Sequence, residues 1–344
     1  MGHPRHRASL LATCAAVGAA LAAPSRGEAA GEIYWFALQT EDAFTAIRFY
    51  QGLFGWEIDT GPTGNFLMRR NGTPFASIAQ IEDRIPNVSE STWLAAINVM
   101  DVKKAVATAK SLGAAIRTDV TELPGWGSFA LLQDPDGAPL ILAQPQRPLG
   151  GNLGYSGWRW AELWSHDPPK AQSFYTKVIG YTPEVVKPGG QPYTVFDTDG
   201  KHRAGLMKLQ QKEIPSRWMP YVGVSDLKGI LVRVWQNGGK VLREPAEIDK
   251  PAAGANRVAL IADPTGGALF LYQLDERATA DPAVIADANA RNMRAQPRNR
   301  FDDVGGDGGG GNFNVSFSLS YSTGFGPGWG TMYPVMPGGA FGPY

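Results

Sequence analysis

The chain repeats itself. Trp35, Asp42, the pair Phe49-Tyr50 and Gly55 return 125 residues later as Trp160, Asp167, Phe174-Tyr175 and Gly180. Trp93 and Asp101 return at the same offset as Trp218 and Asp226. Further on the spacing drifts by a few residues. Gly72 answers to Gly200, Ile85-Pro86 to Ile214-Pro215, and Asp134-Pro135 with Gly137 to Asp263-Pro264 with Gly266. One match would mean little; a whole series in one order, separated by short insertions, marks a duplication. Each copy is too long for a solenoid repeat and has the size of a domain or half of one.

Composition narrows the class. With 344 residues and 43% hydrophobic content, the chain can bury a sizeable core. Lys plus Arg equals Asp plus Glu, so the formal net charge is zero. No excess of positive charge argues for nucleic acid or an anionic membrane as partner. A single cysteine, Cys14, excludes an internal disulfide and a thiolate metal site.

Residues 1–30 read as an export signal. Arg5 and Arg7 give a positive start, Leu10 to Ala23 a short apolar run, and small residues follow at Ala20 to Ala23 and at Ala29-Ala30. The run is too short and too rich in alanine to span a membrane. Cleavage would remove Cys14. The expected location is outside the cytoplasm, periplasmic or extracellular.

Residues 32–145 form a first module and 155–274 a second, with a Pro- and Gly-rich linker at 146–154. In each, an aromatic strand comes first: Glu32 to Gln39, then Trp158 to Ser165. Asp42 caps a helix that Gly55 ends. Pro169 opens the corresponding helix of the second module. Asn71-Gly72 and Asp199-Gly200 signal hairpins. Amphipathic helices are expected again at Val102 to Leu112 and Leu227 to Gln236. Final strands flank the turns Asp134-Pro135-Asp136-Gly137 and Asp263-Pro264-Thr265-Gly266. Residues 278–344 differ in kind. An alanine-rich helix is expected at Asp281 to Arg294. From Gly305 onward the sequence is low-complexity Gly, Ser and aromatic residues, which reads as a disordered tail. Phe313, Val315, Phe317 and Leu319 alternate like a strand, so an adhesive role is the alternative.

The doubled pattern resembles the vicinal-oxygen-chelate superfamily of glyoxalases, extradiol dioxygenases and bleomycin-resistance proteins. Asp42, Phe49-Tyr50, Gly55 and Asp134-Pro135-Asp136-Gly137 carry the resemblance in the first module. Asp167, Phe174-Tyr175, Gly180 and Asp263-Pro264-Thr265-Gly266 carry it in the second. It implies an α+β fold, with two tandem modules of paired βαβββ units forming cup-shaped sheets.

The resemblance also implies where a metal enzyme of this kind would keep its ligands: the first strand, a middle strand and the last strand. Those positions hold Trp35 and Trp160, Ala95 and Pro220, and Ile141 and Phe270. None is a ligand for a divalent metal. Glu162, two residues beyond Trp160 on the same strand face, is the one nearby carboxylate, and His166 would share that face if the strand ran so far. No metal and no cofactor are expected, and no catalytic residue is assigned.

Aromatic surface takes the ligands' place. Alternation sets Trp35 and Gln39 on one face, Trp160, Glu162 and Trp164 on the equivalent face, and Phe270 with Tyr272 on a last strand. Trp93 and Trp218 begin the middle strands and are expected to join them. Such a cup suits a planar or cationic organic molecule, with Glu162 available to a positive charge. The expected function is metal-free binding of a small aromatic or cationic ligand. The alternatives are a metal-dependent lyase or dioxygenase of the same superfamily, and an exported surface protein whose tail mediates assembly.

Overall fold

The computed structural model describes residues 30–61, 65–81, 91–123, 127–146, 157–187, 192–245 and 257–273. Nearly all of the stretch expected to be an export signal, most of the expected linker and the whole C-terminal stretch 278–344 lie outside the described residues.

The first sheet is built from β1 (Ile33–Thr40), β2 (Glu57–Thr60), β3 (Phe66–Arg70), β4 (Thr73–Gln80), β5 (Thr92–Asn98), β6 (Ala115–Ile116), β7 (Thr121–Leu123), β8 (Gly127–Gln133) and β9 (Pro139–Pro145). Its order is β2-β3-β4-β1-β5-β9-β8-β6, with β7 paired to β8. The second uses β10 (Trp158–Ser165), β11 (Thr182–Val186), β12 (Tyr193–Thr198), β13 (Lys201–Lys208), β14 (Arg217–Val224), β15 (Lys240–Arg243), β16 (Arg257–Ala262) and β17 (Ala268–Gln273). Its order, β11-β12-β13-β10-β14-β17-β16-β15, is the first order over again. In each sheet two halves meet at one antiparallel seam, β1 with β5 and β10 with β14. Both seams slip register at the same place, before Trp35 and before Trp160.

Four helices follow the repeat: α1 (Ala43–Phe54), α2 (Val102–Ser111), α3 (Pro168–Ile179) and α4 (Leu227–Gln236). Asp42, Asp101, Asp167 and Asp226 cap them, each carboxylate accepting the backbone N–H three residues on at 3.0, 2.9, 3.2 and 3.0 Å. Gly55 and Gly180 end α1 and α3 in the left-handed conformation that a side chain would disfavour. Asn71-Gly72 and Asp199-Gly200 both have positive φ, as a two-residue hairpin requires.

Every helix turns its apolar stripe to its sheet, and these helix-facing sides merge into one core spanning both modules. Helix α1 packs on α4, α2 on α3, and β5 on β14. Trp158 of the second module enters an aromatic cluster of the first, 4.8 Å from Phe36, 5.9 Å from Trp56 and 5.4 Å from Trp93 between ring centroids. The Asp-Pro turns clasp the opposite module. Asp136 accepts from Ser165 Oγ and Ser216 Oγ at 2.7 and 2.6 Å. Thr265 accepts from Ser91 Oγ at 2.8 Å. Each sheet's other side forms a separate cluster, which is its cup.

Candidate functional site

The two cups occupy equivalent places and hold different chemistry. In the first, Trp35, Ala37, Leu67, Leu94, Ala96 and Ile141 belong to one buried cluster. Trp35 donates its indole N–H to Ser77 Oγ at 3.1 Å. Gln39 is buried at the far end of β1. The second cup has Trp160, Tyr193, Met219, Tyr221, Phe270 and Tyr272 as its cluster, with Trp164 packed against it.

A buried carboxylate sits in that second cup. Glu162 is fully buried. One oxygen accepts the Trp164 indole N–H at 2.7 Å, and the other accepts the Tyr193 hydroxyl at 2.7 Å. Tyr221 hydrogen-bonds the same carboxylate. Trp160 donates its indole N–H to Tyr193 Oη at 3.2 Å, so a chain of donors runs from Trp160 through Tyr193 into Glu162. Burial, and then the charge of Glu162, push the phenols of Tyr193 and Tyr221 well above their ordinary pKa. Both stay protonated and can donate.

Local structure explains how these groups meet. Glu162 on β10 lies beside Gly205 on β13 and opposite Met219 on β14. Gly205 has no Cβ where one would stand 1.6 Å from Tyr193 Oη and 2.5 Å from its ring. That gap lets the phenol cross β13 and reach the carboxylate. Rings complete the wall: Tyr221 stacks on Phe270 at 4.4 Å, and Trp164 meets Phe270 edge-on at 5.7 Å.

Several expected residues come together: Trp160, Glu162, Trp164, Phe270 and Tyr272 share the second cup. Trp218 does not join them. It lies in the helix-facing core and donates to Tyr175 Oη at 3.1 Å, while Trp93 packs against Tyr50 on the same side of its own sheet. The reason is parity. Trp160 pairs with Tyr221, and Leu163 with Trp218, so Trp218 points to the opposite face from Trp160. The same shift corrects the middle-strand positions. Ala96 and Tyr221 face the cups, not Ala95 and Pro220. Trp35 and Gln39 belong to the first cup and stand apart from Glu162. His166 lies beyond the end of β10, its ring at 2.9 Å from the Ile214 carbonyl. Glu162 is also not open to a cationic ligand, because its oxygens are taken by the protein's own donors.

Tyr193, Tyr221 and Gly205 carry no motif that marks them in the sequence. The one available signal was Gly205 inside a strand.

The cup also tests the metal that the superfamily resemblance brings to mind. In the correct frame the first row reads Trp35, Ala96, Ile141, and the second Trp160, Tyr221, Phe270. Only Tyr221 carries a donor atom, on a phenol held protonated, and the lone pairs of Glu162 are engaged. These residues do not fit a divalent metal. Among the described residues no three His, Cys, Asp or Glu gather into a ligand set. A surface cleft of about 460 Å³ lies elsewhere, lined by Asp101, Lys103, Glu122, Ser128 and Gln144. Its ion pair, Lys103 with Glu122, is exposed, and it shares nothing with the cups.

Comparison with known proteins agrees with the geometry. A family model described as a glyoxalase-like domain matches residues 35–143. A protein of Mycobacterium tuberculosis named "Putative glyoxylase CFP32" is 31% identical over 252 residues, covering 71% of this chain and 95% of its own. The "Anthracycline biosynthesis protein DnrV" of Streptomyces peucetius is 31% identical over 129 residues, 33% of this chain and 46% of its own. Among solved structures, a variant of homoprotocatechuate 2,3-dioxygenase from B. fuscum superposes with a TM-score of 0.50 at 16% identity, covering 75% of this chain and 76% of that one, and shares the fold alone. The duplicated cups, the family's domain model and a relative matched over nearly its full length lead to one conclusion: the chain belongs to the glyoxalase-like family of the vicinal-oxygen-chelate superfamily.

Proposed function

We propose that this chain binds a small planar organic molecule at its second cup, without a metal. One observation carries the reading. The modules share strands, caps and turns, yet among the described residues only the second cup holds a buried carboxylate. Where the first has Ala37, Asn65, Ser77 and Ala96, the second has Glu162, Tyr193, Gly205 and Tyr221. The fold does not need this carboxylate, since Ala37 takes its place in the first cup. A buried carboxylate is costly unless fully hydrogen-bonded, so its presence on one side of a duplication supports a site. Trp164, half-buried beside Phe270, offers a face to a flat ring.

The relatives' names, a glyoxylase and an anthracycline biosynthesis protein, both concern small organic molecules. The first name favours a second reading, a metal-dependent lyase or dioxygenase in which Glu162 would hold or move a proton. Thermal-shift screening of planar compounds separates the two, because a ligand that binds the folded state raises the melting temperature. Chelator-treated protein is expected to respond as strongly as protein supplied with Zn, Mn, Fe or Ni. A response that needs the metal would support the second reading. Export, expected from residues 1–30, belongs to the same proposal. N-terminal sequencing of chain recovered from outside the cytoplasm checks it.

A further inference from the structure

One row of side chains crosses the second cup from strand to strand. Trp160 pairs with Tyr221, Tyr221 with Phe270, Phe270 with Leu260, and Leu260 with Arg243. The first four belong to the cup's cluster. The row therefore ends on a guanidinium.

A β-bulge aims it there. Val241 pairs with Ile261, but the register then slips, so that Leu242 and Arg243 together oppose Leu260. Val241 packs on the helix-facing core and Leu242 on the cup. A bulge of this kind turns two neighbouring side chains toward one face and commonly re-aims a residue beside a site. The first module has the same irregularity: the backbone N–H groups of Arg117 and Thr118 both donate to the Leu131 carbonyl, at 2.8 and 3.1 Å. There the place of Arg243 is taken by Thr118, buried, its hydroxyl accepting the Leu131 N–H at 2.9 Å. The second cup thus gains a charge where the first has a neutral group.

Arg243 is partly buried. Burial lowers its pKa, while Tyr221 and Glu162 act to raise it. Arginine starts so high that it stays charged. The field of Glu162 reaches the guanidinium, but its oxygens are already held by Trp164, Tyr193 and Tyr221. Among the described residues none accepts a hydrogen bond from Arg243. A planar fork of donors, half out of water, faces the cup with no acceptor among the described residues.

We propose that Arg243 is the anion-recognising group of the second cup, and that its ligand is a planar aromatic molecule bearing a carboxylate. The inference rests on the binding reading above and gives it a substrate class. The fork matches the two oxygens of a carboxylate. Glu162 would repel a second carboxylate, so the acid sits at the Arg243 end of the row and the ring lies toward Trp164 and Phe270.

Calorimetric titration of the full chain tests this with matched acid, amide and amine forms of benzene, naphthalene and indole rings. The wild type is expected to bind acids about tenfold more tightly than the matching amides, the least that one charge-assisted pair gives. Arg243→Gln should bring the acids to within about twofold of the amides. Arg243→Lys should keep part of the preference. Amides bound as tightly as acids by the wild type, or an acid preference that survives Arg243→Gln, would overturn the role of Arg243 while the binding reading stands. No binding of any ring would remove both. The acid-to-amide comparison on the wild type needs no variant to fold.

Discussion

Tyr50 of the first module donates its hydroxyl to the Asp263 carboxylate of the second at 2.8 Å, and Tyr175 of the second donates to Asp134 of the first at 3.0 Å. The two signatures that define the repeat, the Phe-Tyr pair and the Asp-Pro turn, therefore meet across modules and not within them. Each Asp also accepts two backbone N–H groups of its own turn, through its other oxygen. The turn shapes itself with one oxygen and grips the opposite module with the other.

Removing either phenol should loosen that grip. Tyr50→Phe leaves a buried carboxylate oxygen without its donor, a loss of about 1–3 kcal/mol. Tyr175→Phe should cost a similar amount and also strand the Trp218 indole N–H, which donates to Tyr175 Oη. Denaturant unfolding of the single variants measures both. In a cycle with Asp263→Asn, Tyr50→Phe should cost less than it does alone.

The same carboxylates set a pH dependence. Burial raises Asp134 from 3.8 to about 6, against its hydrogen bonds, and raises Asp263 in the same direction. The folded chain then holds the Asp134 proton more tightly than the unfolded chain does. Its contribution to stability is fully present below 3.8 and is lost as the pH rises through about 6. Melting temperatures of the wild type and Asp134→Asn across that window give the check. The wild type's margin over the variant is expected to shrink as the pH rises.

The fold was legible because its punctuation is local. The capping carboxylates, Gly55, Gly180 and the two positive-φ hairpin pairs act within a few residues, so spacing alone finds them. Trp218 faces the helices and not the cup, which sequence alone does not reveal because a strand's parity depends on its register with a neighbour, and no short window contains that. The partners of Glu162 were hidden for the same reason. Tyr193 lies two strands away, and it arrives only because Gly205 leaves room. The partnership of Tyr50 with Asp263 spans 213 residues. Duplication makes such cross-pairing possible, but nothing in either copy distinguishes it from pairing within a module.

Gly205 gives a direct test of how the second cup is assembled. A Cβ there would stand 1.6 Å from Tyr193 Oη. Gly205→Ala must push the phenol off Glu162 and should destabilise the chain by about 1–3 kcal/mol, as overpacking does. Adding Tyr193→Leu removes the clash, so the double variant should lose less than the sum of the two single losses. Additive losses would mean that Tyr193 moves aside without strain.

On the proposed reading, binding belongs to the second cup alone. Trp164 on β10 and Gln39 on β1 stand at equivalent positions of the two copies, which makes them a matched pair. A calorimetric titration with the tightest compound from the thermal-shift screen compares Trp164→Ala with Gln39→Ala, each first shown to be folded. Trp164→Ala is expected to weaken binding about tenfold by removing an aromatic face, and Gln39→Ala to leave it unchanged. Equal losses in both variants, or a loss with Gln39→Ala only, would contradict the account.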